Sequence, residues 1–194
     1  MINSVPGKPL AAPAPSWHSP PMDVPELIAL QRSGARLKFL FFWREHGPAG
    51  CLSQWHASPF TVDGVRYATA EHYMMAEKAR LFGDERAVAA ITDAPHPGRA
   101  KDLGRRVAAF EEAVWREHRL GIVVRGNLAK FAQHDDLRAY LLGTRDRILA
   151  EASPLDRIWG IGLTAGDPRA ERPDAWRGEN LLGRALMAVR ASLA

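Results

Sequence analysis

A carboxylate, two thioethers and an amine lie along one stretch of the chain at helical spacing. Glu71, Met74, Met75 and Lys78 stand at positions i, i+3, i+4 and i+7, so on a helix they share one face. A rise of about 1.5 Å per residue separates Glu71 from Lys78 by about 10 Å along the axis. If this face is covered, both groups are partly desolvated; the alternative is that both charges point sideways into solvent. A carboxylate can activate water or stabilise positive charge, and a lysine of lowered pKa can act as a nucleophile.

A second cluster lies in the segment LDRIWGIG, residues 155–162. Asp156 precedes Trp159 and Gly160, and glycines leave the backbone open for close approach of a ligand. A tryptophan beside a carboxylate is a stacking platform for a planar heterocycle, although such a pair also occurs at the edge of a hydrophobic core.

The polar segment that follows, residues 164–179, is typical of a lid or a binding loop. It leads through Gly178 and Glu179 to Asn180 and the last predicted helix. The backbone amides at that helix terminus could bind a phosphate, or Asn180 could be only an N-cap. Trp115 lies on the longest predicted helix and either packs in the core or stacks on a base.

Composition narrows the function classes. The formal net charge of +4 suits anionic small molecules as well as nucleic acid. Cys51 is the only cysteine and has no activating base beside it, and no pair of histidines has metal-ligand spacing. We therefore expect no metal and no other cofactor. The N-terminus lacks the apolar stretch of a secretory signal, and no apolar run approaches the length of a membrane span, so we expect a cytoplasmic protein without membrane association.

The elements that must position these residues can be predicted from caps and periodicity. Residues 1–25 are rich in proline and predict a disordered tail, with a short helix over residues 24–31. Residues 36–43 and 147–151 predict strands, and Asp63-Gly64 predicts a hairpin turn. Helices are predicted over residues 70–82, 85–91, 97–104, 110–131, 135–142 and 180–193. The pattern indicates one α+β domain over residues 36–194, mostly helical around a small, largely antiparallel sheet.

Seven segments of the chain, taken in order, resemble the NADAR (YbiA-like) family. They are LSQWHASPFTVDGVRYATAEHYMMAEKA, AKDLGR, a central tryptophan, LAKF, LRAYLLGT, LAEASPLDRIWGIG and GENLLGRALMAVR. The match spans residues 39–190, nearly the whole predicted domain. The resemblance implies an N-glycosidase. One branch of the family acts on phosphoribosylamino-pyrimidine intermediates of riboflavin biosynthesis, and other branches remove ADP-ribose from guanine bases.

Positions that match the family motifs define a candidate site. The resemblance implies catalytic roles for Glu71, Asp156 and Lys78. It also implies substrate contacts, for which we expect these side chains and backbone positions: Tyr73, Trp115, Trp159, Gly160 and Asn180. We expect one cleft to be lined by Glu71, Lys78, Trp115, Asp156, Trp159 and Asn180.

The chain departs from the family pattern at positions that could line the base pocket. Where relatives often have Leu-Ser-Asn-Phe, this chain has Leu52-Ser53-Gln54-Trp55; Met74 and Met75 replace Phe-Gln, and Glu77 replaces glutamine. These differences bear on which base is bound, whereas the reaction class depends on the carboxylates.

Three hypotheses follow. The first is hydrolysis of a phosphorylated ribosyl-amine metabolite, by water attack or through a Schiff base on Lys78. The second, less favoured, is an ADP-ribosyl hydrolase acting on nucleic acid, which predicts a broad basic face and strong salt dependence. The third is a non-catalytic nucleotide-binding module, which predicts loss of the carboxylates, yet Glu71 and Asp156 are both present. The sequence does not define the oligomeric state.

Overall fold

The computed structural model describes residues 22–194. The predicted proline-rich tail lies outside the described residues except for its last four. Of these, Val24 and Pro25 belong to the first helix, α1 (Val24–Arg32), as the predicted short helix requires. Asp23 and Glu26 close its N-terminus by reciprocal hydrogen bonds between side chain and backbone, which satisfies amides that have no partner within the helix.

Helices dominate the described part of the chain. The remaining helices are α2 (Ala70–Leu81), α3 (Glu85–Thr92), α4 (Pro97–Gly104), α5 (Glu112–Ala132), α6 (Asp135–Gly143) and α7 (Leu181–Leu193). The strands are β1 (Phe39–Phe42), β2 (Phe60–Val62), β3 (Val65–Tyr67) and β4 (Ile148–Glu151). The α+β class predicted from the sequence is confirmed.

Local signals set these boundaries. The Thr69 hydroxyl accepts from the His72 amide at the start of α2, and Gly83, with a φ of 72°, ends that helix. In the hairpin between β2 and β3, Asp63 and Gly64 have φ values of 51° and 79°, as the Asp-Gly turn predicts. Asp84 caps α3 by accepting from the Ala87 amide.

The strands are arranged differently from the expected single, largely antiparallel sheet. Among the described residues, β2 and β3 form an antiparallel hairpin, while β1 pairs with β4 in parallel. Phe39 lies opposite Ile148 and Phe42 opposite Glu151. A parallel pair needs a long crossover connection, here supplied by α2 to α6, and no local turn signal marks such a pair in the sequence.

The core is organised around α5, which α2 and α7 contact. The close approach of α2 requires Gly126 of α5, because a Cβ there would collide with the Tyr73 ring. Helix α7, which contacts α5, also packs against β4. Glu71 and Glu151 are thereby carried toward each other on elements that share the core. No helix over residues 22–194 is long and apolar enough to cross a membrane.

A buried lysine ties α5 to the segment that precedes the hairpin. Lys130 is fully buried, and its Nζ donates to the carbonyl oxygens of Cys51 (2.6 Å) and Ser53 (3.1 Å). These carbonyls belong to a short 3₁₀ helix (Gly50–Leu52) and the residue after it. Burial lowers the pKa of Lys130 from 10.5 to about 7, because carbonyl dipoles replace the lost hydration only in part.

This lowered pKa predicts a pH dependence of stability. The unfolded lysine keeps its proton up to about pH 10.5, whereas the folded one releases it near pH 7, so the free energy of unfolding rises with pH between these values. In the wild type the free energy of unfolding, measured with urea, should rise by up to about 2 kcal/mol between about pH 7.5 and 9.5. Lys130→Met should abolish this rise.

Lys38→Met is the matched control, because Lys38 is exposed and pairs only with the equally exposed Asp146 at 3.3 Å. It should keep the wild-type rise. If Lys130→Met showed the same pH dependence as the wild type, the lysine would be charged in the folded protein and the assigned burial would be wrong.

Candidate active site

One cleft of about 730 Å³ collects most of the chemically active side chains. Its walls come from the segment before the hairpin, from α2, from α4, and from the end of β4 with the turn after it. The lining residues are Ser53, Gln54, Trp55, Glu71, Met74, Met75, Lys78, Lys101, Arg105, Glu151, Ser153, Leu155, Asp156, Arg157, Ile158, Trp159 and Leu182. The face of α2 that carries Glu71 and Lys78 is therefore a cleft wall.

Glu71 is the deepest carboxylate on the α2 wall. It is 3% exposed, and its Oε1 has no hydrogen-bond partner within residues 22–194. Burial raises the pKa of Glu71 from 4.5 to about 7, while Lys101 and a hydrogen bond from the Trp55 indole oppose the rise and Asp156 adds to it. At neutral pH this carboxyl can therefore both accept and release a proton.

A buried polar network holds the segment that carries Gln54 and Trp55 beside Glu71. The Gln54 carbonyl accepts from the Glu71 amide at 3.0 Å, and the Gln54 side-chain oxygen accepts from Asn127 of α5 at 2.8 Å. Together with Lys130, these bonds fix both main chain and side chain of the segment that carries Trp55. Trp55 itself is 37% exposed at the mouth of the cleft.

Glu151 is a third cleft carboxylate, which the sequence analysis did not identify. It is the last residue of β4, and its buried Oε2 has no hydrogen-bond partner in the described part of the chain. The pKa of Glu151 is raised from 4.5 to about 8, mainly by burial and further by the negative charges of Asp156 and Glu71, while Lys101 opposes the rise. This carboxyl is mostly protonated at neutral pH.

Asp156 follows five residues later in a turn that holds its carboxylate by backbone amides. Its Oδ1 accepts from the amides of Ile158 (2.9 Å) and Trp159 (2.8 Å). The two hydrogen bonds fix the position of the Asp156 carboxylate, and the same turn brings the Trp159 ring to the cleft.

The turn is fixed by the start of α7. The carbonyl oxygens of Arg157, Ile158, Trp159 and Gly160 accept from the amides of Glu179, Leu181, Leu182 and Asn180, respectively, at 3.0 to 3.2 Å. Helix N-termini leave such amides without partners in the helix, so the turn and the helix satisfy each other. The amides of residues 179–182, which were one possible phosphate site, are therefore already bonded to the turn.

Asn180 holds β4 instead of contacting the cleft. It is 2% exposed; its Oδ1 accepts from the Glu151 amide at 3.0 Å and its Nδ2 donates to the Leu149 carbonyl at 2.9 Å. It does not cap α7 through its side chain. The expected substrate contact is thus replaced by a structural one, which sets the backbone of Glu151.

Gly160 also differs from the expected substrate contact. A Cβ at this position would lie 2.9 Å from the Glu151 carbonyl oxygen and 3.1 Å from that of Asp156. The absence of a side chain allows the turn to fold against the end of β4, and Gly160 is not part of the cleft wall.

Two aromatic residues expected to bind substrate lie in the core. Tyr73 is 1% exposed and packs edge-on against Tyr67, because residues two apart on a helix point to nearly opposite sides and Glu71 takes the cleft side. Trp115 is 8% exposed and lies behind Lys78, with the ring centroid 5.6 Å from Nζ. Neither residue lines the cleft.

Lys78 is held at the outer end of the α2 wall. Its Nζ donates to the Gly104 carbonyl at 2.9 Å and lies 4.0 Å from the centroid of the Phe110 ring. Burial lowers the pKa of Lys78, whereas Glu112 raises it. The amine is therefore easier to deprotonate than a solvated lysine, although the ring faces favour the ammonium form.

The polar segment of residues 164–179 is not a lid over the cleft. None of its residues lines the cleft walls, and it folds against α1, where Gln31 donates to the Glu171 carbonyl at 3.1 Å. Arg119 of α5 anchors its end by an ion pair with Glu179 at 2.8 Å. The segment is polar because it is a surface loop whose side chains bond to one another, as Arg169 does to Asp167.

Comparison with known proteins agrees with this fold. The family model described as the NADAR domain matches residues 41–194. An N-glycosidase of Acanthamoeba polyphaga mimivirus is 40% identical over 161 residues, covering 79% of this chain and 95% of that protein. N-glycosidase YbiA of Escherichia coli (strain K12) is 32% identical over 153 residues, covering 79% and 87%. The NMR structure of the E. coli protein YbiA matches with a TM-score of 0.67 at 30% identity, covering 82% of this chain and 86% of that one.

The chain belongs to the NADAR family. The predicted family and the predicted enzyme class, an N-glycosidase, are confirmed.

The assignment of Asn180 leads to a stability prediction. Asn180→Ala removes two buried hydrogen bonds and leaves the Glu151 amide unsatisfied, which should lower the free energy of unfolding by about 2 to 4 kcal/mol. Part of this loss comes from the backbone, because Asn180 has a φ of 51° that disfavours alanine. Urea unfolding at neutral pH measures the total.

Asn180→Gly separates the two contributions, since glycine accepts this φ but makes neither hydrogen bond. It should recover only a minority of the loss. A substrate-contacting Asn180 would give the opposite result, with near-wild-type stability in both variants and a raised KM.

Proposed function

We propose that this chain hydrolyses the N-glycosidic bond between a ribose phosphate and an aminopyrimidine, or a closely related nucleobase. The observation that carries the proposal is the juxtaposition, in one cleft, of the carboxyls of Glu71 and Asp156 with the cations of Lys101, Arg105 and Arg157. Such a cleft offers separate surroundings for a positively charged sugar carbon and for an anionic phosphate.

The carboxylates suit the reacting carbon. Breaking a ribosyl C–N bond develops positive charge at C1′, which a nearby fixed carboxylate stabilises. The Asp156 carboxylate, held by two amides, supplies that charge. Glu71, with a pKa raised to about 7, is suited to take a proton from the attacking water.

The cations suit the phosphate. Lys101 and Arg105 are four residues apart at the end of α4 and so lie on one side of it, and both lower the pKa of Glu71, which places them within electrostatic reach of the reacting end. Arg157 is contributed by the turn after β4. A phosphate bound by these three would hold the ribose with C1′ toward the carboxyls.

The rings at the mouth suit the base. Trp55 and Trp159 provide flat apolar surface, and Gln54, held by Asn127, lines the cleft beside them. Gln54 and Trp55 are among the positions at which this chain departs from the common family pattern, so they are the positions that select the base. A volume of about 730 Å³ accommodates a ribose phosphate with one heterocycle.

Two chemical routes use the same cleft. In the first, water attacks C1′ directly. In the second, the glycosylamine opens to an imine and Lys78, whose pKa is lowered, attacks C1′ to form a Schiff base. Borohydride trapping of a covalent adduct in the wild type but not in Lys78→Ala supports the second route; no adduct in either protein supports the first.

A substrate panel tests the proposal. A phosphoribosylamino-pyrimidine should release ribose phosphate, and its dephosphorylated analogue should react with a higher KM because the three cations lose their partner. An oligonucleotide carrying ADP-ribosylated guanine tests the alternative activity on nucleic acid. Turnover of that oligonucleotide alone would replace the proposed substrate class, and no release from any compound would leave a binding module.

Substitution of the two family-matched carboxyls gives a kinetic prediction. Glu71→Gln and Asp156→Asn keep size and polarity but remove charge, and each should lower kcat on the order of a hundredfold or more with the free energy of unfolding little reduced. The assay is release of ribose phosphate from the preferred substrate.

Glu117→Gln is the matched control, because Glu117 is an exposed residue of α5 away from the cleft wall. It should retain wild-type kcat. Full activity of both Glu71→Gln and Asp156→Asn would rule out carboxyl-assisted hydrolysis at this cleft.

A further inference from the structure

Glu151 is the cleft carboxyl that the family motifs and the proposed roles above leave without a task. Three features distinguish it from a surface glutamate. It lines the cleft, its Oε2 is buried without a partner among residues 22–194, and its backbone is held on both sides. The Asn180 side chain accepts from its amide at 3.0 Å, and its carbonyl accepts from the Ile161 amide at 2.9 Å.

The surroundings of Glu151 leave it neutral. Asp156 from the following turn and Glu71 from α2 both face it with negative charge, and Lys101 of α4 is the positive group that acts on it. The Asn180 side chain at the start of α7 is uncharged and already bonded to the backbone of β4. Burial first, and then two carboxylates against one lysine, disfavour a third negative charge, so this carboxyl keeps its proton.

The departing nitrogen needs a proton donor. An amine leaves a sugar carbon as a neutral molecule only if its nitrogen gains a proton while the C1′–N bond breaks. The Asp156 carboxylate accepts from two backbone amides and is placed to stabilise charge at C1′, and Glu71 is suited to take the proton of water. A neutral carboxyl on the same cleft completes a set of one anion, one base and one acid.

We propose that Glu151 is a catalytic residue, the general acid that protonates the leaving nitrogen of the ribosyl-amine substrate. As the C1′–N bond breaks, its electron pair passes to the nitrogen, which takes the Glu151 proton. Water adds to C1′ and gives its proton to Glu71, and transfer of that proton through solvent restores the Glu151 carboxylic acid. The products are the ribose phosphate and the free amine, so one water is consumed. This inference rests on the proposed function.

Glu151→Gln tests the inference. The amide preserves shape but has no proton to give, so kcat should fall by about 10² to 10⁴-fold with KM little changed. In the wild type, kcat/KM should decline on the alkaline side of about pH 8, where Glu151 loses its proton. That alkaline decline should be absent from the residual activity of Glu151→Gln, and a purely structural glutamate would not produce this change.

Glu151→Asp and Glu117→Gln complete the experiment. The aspartate variant keeps a carboxylic acid and should retain more activity than Glu151→Gln, while Glu117→Gln should match the wild type in rate and pH profile. Wild-type kcat in Glu151→Gln, or a rate loss with the alkaline decline unchanged, overturns the inference. If the wild type releases no ribose phosphate from any substrate of the panel, the proposed function itself fails.

Discussion

The mutual hydrogen bonding between the turn after β4 and the first amides of α7 determines the geometry of this site. Four consecutive carbonyls, from Arg157 to Gly160, accept from amides at or just before the start of the helix. Elsewhere such amides commonly bind water, a side chain or an anion. Here they bind the turn that carries Asp156 and Trp159, and Asn180 extends the same contact to β4 and Glu151.

Fixing the turn in this way permits an arrangement of charge that is unfavourable for stability. Glu71 is buried and Glu151 is half-buried with its Oε2 out of solvent, and both have a pKa above 4.5, at about 7 and about 8. Between pH 4.5 and these raised pKa values, the folded protein therefore binds more protons than the unfolded chain. The two groups contribute stability at low pH, and that contribution is lost as the pH rises through about 7 and 8. Clustered carboxyls of raised pKa are typical of sites that transfer protons rather than of structural cores.

The elements that follow local rules could be predicted from the sequence. Thr69, Asp84 and Gly83 act through their immediate neighbours, so the boundaries of α2 and α3 agree with expectation to within about one residue. The helical spacing of Glu71 and Lys78 also placed both on one cleft wall. The parallel pairing of β1 with β4 was not predictable in this way, because it joins segments more than a hundred residues apart.

The expected site residues that lie off the cleft wall have a common physical explanation. Substrate contacts were expected for Asn180, Gly160, Tyr73 and Trp115, but the fold uses their hydrogen bonds, small volume or apolar surface internally. The reverse holds for Glu151, which ends a short apolar strand. Its electrostatic interaction with Glu71, 80 residues earlier in the chain, has no local signal in the sequence. A charged residue at the end of a buried strand, five positions before an Asp-Arg-Ile-Trp turn, is the signal that could have identified it.

The fold brings carboxyls together in one poorly solvated cleft, and side-chain carboxyl titration by ¹³C NMR tests this directly. With glutamate labelled at Cδ, two resonances should titrate far above 4.5, near pH 7 and 8, and they should disappear in Glu71→Gln and Glu151→Gln, respectively. Asp156→Asn should lower the midpoint of the resonance that remains for Glu151, since a negative charge facing it is removed. If every glutamate titrated near 4.5, these carboxyls would be solvated and independent, and the account of the site given above would be contradicted.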